Sequence, residues 1–173
     1  MGYFYEAEAG KISGPLQYQV SQRLESHTYA PNAMGFLRAN NELVNHARIS
    51  YDMNDPQGIL LNMHSSLSAR YSLLHKPMKY KDFQIEYSSW GRFTNHLTVS
   101  AWMGWEPIPL HDYDEPRVAG RYFEHPGNIM GQVHISSDYR KMLALDATYG
   151  MRQAYGYGNH ARWYSLSPRF QPN

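Results

Sequence analysis

The chain has no cysteine in 173 residues. That excludes a disulfide framework, a thiol nucleophile and any thiolate metal site, and it leaves an extracytoplasmic location open. Charge of one sign is also missing. The formal net charge is +1, too small for the basic surface a nucleic-acid binder presents, so no nucleic-acid partner is expected. No apolar run approaches the ~20 residues that a membrane helix needs. A charged-then-apolar leader is missing as well. The opening MGYFYEAEAG already reads as structure, so any export signal is expected to be removed or to lie upstream. Helical periodicity is absent too, since no 3.6-residue apolar stripe is sustained.

What is present is tyrosine (15), tryptophan (4) and alternation. Gly127 to Met151 shows it best, as two strands joined by a turn near Ser137-Asp138-Tyr139-Arg140. In the second strand Leu143, Leu145, Ala147, Tyr149 and Met151 share one side, and Asp146, Thr148 and Gly150 the other. In the first, Val133 and Ile135 oppose Gln132, His134 and Ser136. Period two with one apolar face marks a strand with a greasy and a wet side.

About nine such strands are expected, in an all-β antiparallel meander. They begin with Gly2–Ala9 and Leu16–Thr28, followed by a long connection over Tyr29–Asn41. Glu42–Met53 and Ile59–Leu73 flank the turn Asn54–Gly58. A strand around Phe83–Ser88 is read as ending at a turn near Gly91-Arg92, and Leu97–Trp105 follows. A second long connection, Glu106–Asn128, leads into the hairpin. Arg162–Phe170 closes the series, with Pro168 pointing to a bulge or an edge.

The strand over Ile59–Leu73 far exceeds the usual 5–6 residues of globular proteins. The joins Gly10–Pro15, Asn54–Gly58, Gly91–Asn95 and Ser137–Arg140 are short and fall at every second connection. Both long connections lie among the others. Long strands with short turns at one end and longer loops at the other predict a transmembrane β-barrel. Tyr3, Tyr29, Tyr51, Trp90, Trp105, Tyr122 and Trp163 are expected as its interfacial aromatics. The alternative is a soluble sandwich or lipocalin-like barrel, binding a glycan or small molecule through Trp and Tyr.

Candidate chemistry concentrates in EPIPLHDYDEPRVAGRYFEHP, Glu106–Pro126. Asp112, Asp114 and Glu115 offer oxygens to a hard cation, and His111 or His125 with a carboxylate suits a transition metal. Neither set has a diagnostic spacing, and a polar loop is the plainer reading. Arg117, Arg121, Arg140 and Arg169 are expected to pair with Asp112, Asp114, Glu115 and Asp138, or else to line a lumen or bind an anion. His46, His64 and His134 fall on the polar side of separate strands. No GxSxG elbow is present, and Gly156-Tyr157-Gly158 lacks the lysine and helix of a phosphate loop. No catalytic residue and no cofactor is assigned. A metal-dependent hydrolase built on the Asp112–His125 loop is the weakest alternative.

Several segments together resemble a known family. They are APNAMGFLRANNE (Ala30–Glu42), ISYDM (Ile49–Met53), EPR with GRYFEHP (Glu115–Arg117, Gly120–Pro126), ISSDYRK (Ile135–Lys141) and SLSPRF (Ser165–Phe170). Their order and spacing are similar to the C-terminal barrel region of domain of unknown function family 5916. The resemblance implies an integral outer-membrane β-barrel of a Gram-negative bacterium, normally preceded by a module that looks carbohydrate-binding. It carries over no enzymatic activity. The expected function is therefore a non-enzymatic structural or transport-associated component of an envelope assembly, spanning residues 1–173 as one barrel domain or barrel section. Its expected partners are outer-membrane lipid and further strands or another envelope chain that closes the barrel. A glycan is an expected partner only through the family's upstream module.

Overall fold

A computed structural model of the chain describes residues 2–29, 40–116, 118, 120–156 and 158–172. Most of the Tyr29–Asn41 connection, Arg117 and Tyr157 lie outside the described residues, as does much of the first segment of the family resemblance.

Among the described residues there is no helix. The strands are β1 (Phe4–Lys11), β2 (Leu16–Glu25), β3 (Glu42–Met53), β4 (Leu60–Leu74), β5 (Lys79–Phe93), β6 (Thr98–Glu106), β7 (Leu110–Asp112), β8 (Phe123–His125), β9 (Asn128–Ser136), β10 (Leu143–Ala154) and β11 (His160–Phe170). Nine of them form one sheet in the order β1-β2-β3-β4-β5-β6-β9-β10-β11, and β7 pairs only with β8. Every pairing is antiparallel.

Two expectations need correction. The turn near Gly91-Arg92 does not exist: both residues sit inside β5, opposite Met63 and Asn62 on one side and Val99 and Thr98 on the other. The chain reverses just beyond, where His96 takes a φ of 61° and the Asn95 side chain accepts the Leu97 N–H. Glycine signals a turn only where φ turns positive, as Gly14 and Gly58 do in the first two tight turns. The second correction concerns Glu106–Asn128, which holds the β7–β8 hairpin and is not a bare loop. Three-residue strands are too short to show a period.

The sheet is open. β1 and β11 are its two edges and do not pair with each other, so closure into a barrel is not part of this structure. Pro168 lies on the edge strand β11, where a missing N–H disturbs no ladder.

Burial is inverted relative to a water-soluble sheet. Val20, Ile49, Leu67, Tyr87, Val133, Tyr149 and Leu166 share the apolar face and are all exposed. Among the described residues the buried hydrophobics are only Leu24, Met53 and Ala144, whereas Ser50, Ser72 and Asp82 of the opposite face are buried. This asymmetry is what a sheet curled around its polar face produces. The 15 residues of β4 and of β5 extend about 50 Å at 3.4 Å each.

The joins sort by end. The joins between β1 and β2, β3 and β4, β5 and β6, and β9 and β10 lie at one end, and those between β2 and β3, β4 and β5, β6 and β9, and β10 and β11 at the other. Both long joins share that second end. Among the described residues no helix is long and apolar enough to cross a membrane, which says nothing of crossing by strands.

Candidate functional site

Two polar constellations stand out, one on the β7–β8 hairpin and one across the polar face. The hairpin is held over the start of β5 by aromatic and ionic contacts. The His111 ring stacks on Tyr122 at 4.0 Å and meets Tyr80 of β5 edge-on at 5.2 Å. The Asp114 carboxylate lies 3.6 Å from the ammonium of Lys81, which also pairs with Glu42 of β3. Burial against Tyr122 raises the Tyr113 hydroxyl above its ordinary pKa.

Asp112 is the hinge of this segment. Its Oδ1 accepts the N–H groups of Asp114 at 2.8 Å and Glu115 at 3.1 Å. Partial burial works against the charged form, yet those two N–H groups and the nearby His125 and Lys81 hold the carboxyl below its ordinary value. His125 Nε2 lies 3.5 Å from Glu115 and 3.9 Å from the free oxygen of Asp112.

Of the residues picked out in the sequence, the fold therefore gathers Asp112, Glu115 and His125, with donor atoms all within 4.8 Å of one another. Asp114 is turned to Lys81, and His111 belongs to the aromatic cluster. An ion bound at about 2.1 Å in tetrahedral geometry holds its donors ~3.4 Å apart, so the two exposed side chains of this trio would have to draw inward. As it stands, the cluster is a local ion network that joins the two halves of the hairpin.

Of the four arginines singled out, Arg140 pairs with Asp138 through Nε and Nη2, both at 2.9 Å. This contact pulls the Asp138 carboxyl well below the carboxylate range. Arg169 lies 5.2 Å over the Tyr139 ring.

The polar face is a wall of linked side chains. Asp82, nearly buried, accepts from Arg70 at 2.8 Å and from Ser72 at 3.2 Å. His64 Nδ1 lies 2.6 Å from Asp52 and His134 Nδ1 2.9 Å from the Thr148 hydroxyl. His64 contacts a serine through its backbone oxygen, which accepts from Ser89. Its imidazole meets the Asp52 carboxylate, and no hydroxyl is bonded to it among the described residues.

Register places two transverse rows side by side on this wall. One runs Gln17, Ser50, Ser66, Ser88, Trp102, Gln132, Gly150, Trp163 across eight strands without an ionisable group. The next runs Asp52, His64, Trp90, Ser100, His134, Thr148, Ser165. Trp90 and Trp163, expected among interfacial aromatics, thus sit on the polar face with Trp102. Trp105 is on the outer face, and its indole N–H donates to Tyr155 at 2.9 Å. The inward tryptophans were readable in part: Gln84, Glu86 and Ser88 continue by twos to Trp90. Gly91-Arg92, which resembles a turn in the sequence, hides that continuation.

The family model described as Domain of unknown function (DUF5916) matches residues 1–173, the whole chain, and the chain belongs to that family. No curated protein and no solved structure matches it.

Proposed function

We propose that this sheet is the wall of a transmembrane β-barrel in the outer membrane of a Gram-negative bacterium, serving without enzymatic activity as a structural or transport-associated component of an envelope assembly. The inverted burial carries the reading. A continuous exposed apolar face needs a cover, and in water that cover would be a second packed layer. Among the described residues the second sheet is only the β7–β8 hairpin, which packs against β5. Lipid is the cover that matches a face of Val, Ile, Leu and Tyr. The opposite face then lines an aqueous interior.

Strand length agrees. About 50 Å of strand tilted by ~40° crosses a hydrocarbon core of ~30 Å and leaves a protruding rim. Unpaired edges are not tolerated in lipid, so further strands, from this polypeptide or another, cover β1 and β11. By the usual asymmetry of such barrels, the end carrying both long joins and the β7–β8 hairpin faces outward.

The test is extraction of the native protein from membranes. It should resist washing with salt and alkali, require detergent, and carry its closing strands with it. Release as a folded species without detergent would overturn the reading and favour a soluble module.

A further inference from the structure

We propose that the polar wall carries a binding track for an uncharged oligosaccharide, built on Trp102, Trp163 and Trp90. The inference rests on the reading of that wall as a barrel lumen and names the class of solute it takes.

Tryptophan on an aqueous wall calls for an explanation. Barrel aromatics ordinarily sit on the lipid-facing girdles, where the ring is in apolar surroundings and the N–H reaches water. Here three indoles lie within two adjacent rows of the opposite face. Each of two is seated on a glycine. The Trp163 indole fills the space that a Cβ on Gly150 would take, at 2.1 Å, and Trp102 lies 3.1 Å from the corresponding point on Gly104. Each ring thus takes room that the glycine's missing side chain leaves, and Trp163 is half-buried. The Trp163 N–H is fixed by Gln132 Oε1 at 3.1 Å, which holds the plane in place. Trp90 and Trp102 flank a concavity of about 210 Å³ that also meets Ser100, Gln132 and His134, a space on the scale of one sugar ring.

The chemistry selects the ligand. Flat π-faces take the C–H face of a pyranose, and hydroxyl, amide and imidazole groups around them take its hydroxyls. The Trp102 row has no ionisable side chain from β2 to β11, so the row itself offers a charged solute no counter-ion. The flanking rows carry Asp52, paired with His64, on one side and Arg48, Glu86 and Arg152 on the other. Successive indoles along the wall suit a chain of sugars better than a single one.

The experiment uses the protein extracted in detergent with whatever closes its barrel, titrated with neutral gluco-, manno- and galacto-oligosaccharides. Tryptophan emission reports binding, and single-channel conductance in a planar bilayer reports passage. Saturable change with at least one of these series is expected. Trp102→Ala and Trp163→Ala should each weaken it about tenfold or more. Trp102→Phe should recover part of it, and Trp105→Phe, on the outer face, should leave it unchanged. No response to any series from an assembled, detergent-dependent barrel would overturn the track while leaving the barrel standing. Equal binding in the Trp→Ala variants would overturn it too. A chain that folds without detergent would instead remove the lumen on which the track rests.

Discussion

At the scale of single residues, Asp112 shows how little sequence is needed to close a loop. One carboxylate oxygen satisfies two backbone N–H groups, and the other faces His125. The hairpin lies outside the nine-stranded sheet, so acid reaches it directly. A carboxyl held below its ordinary value of 3.8 contributes stability that is complete above that value and is lost as pH falls through the lowered one. The protection factors of the Asp114 and Glu115 amides, measured against the intrinsic exchange rate at each pH, should therefore fall on acidification through that range. In Asp112→Asn, protection should be lower at neutral pH and lose that pH dependence; an unchanged pH dependence would remove Asp112 as its source. Gly150 gives a second residue-scale test. A Cβ there meets the Trp163 ring at 2.1 Å, so Gly150→Ala should displace the indole, break its bond to Gln132 and cost about 1–3 kcal/mol. A red shift of tryptophan emission would report the displacement, and an unshifted spectrum at full stability would show that the indole is not seated on this glycine.

At the scale of the element, each long strand separates an apolar face from a polar one. Leu67 lies near the middle of β4, is 46% exposed, and pairs with Ile49 and Tyr87 on the apolar face. Its neighbour Ser66 lies on the polar face, with its hydroxyl 2.9 Å from that of Ser88. Arginine at the bilayer midplane costs about 2–4 kcal/mol on a lipid-facing site and little on a lumenal one. Urea unfolding from lipid vesicles should thus find Leu67→Arg destabilised by that amount and Ser66→Arg close to the parent. Equal penalties would contradict a lipid-facing β4. The element also shows where sequence reading was exact and where it was not. The bounds of β3, Glu42–Met53, follow from an alternation that Val44 and Asn45 interrupt without ending, and that the polar turn at Asn54–Gly58 ends. The hairpin strands β7 and β8 left no pattern, because three residues cannot establish a period of two.

At the scale of the whole molecule, the decisive feature is a nine-stranded sheet with two free edges. If further strands cover them in the membrane, the outward amides of β1 and β11 should exchange as slowly as those of β4. Fast exchange confined to these two strands in the native complex would mean that the edges stay open. The same scale separates what is intrinsic to the chain from what depends on its partners. Strand count in the sheet, the two faces and the placement of both long joins at one end were legible in the residues, because period two and turn chemistry are local. The seating of Trp163 against Gly150, the gathering of Asp112, Glu115 and His125, and the departure of Asp114 to Lys81 were not. Each depends on which residue of another segment stands opposite, and a local period does not fix that. The sequence by itself determined a two-faced antiparallel meander. Only the tertiary structure decided that its apolar face is the uncovered one and which side chains meet on the other, since register and curvature arise from contacts between strands far apart in the chain.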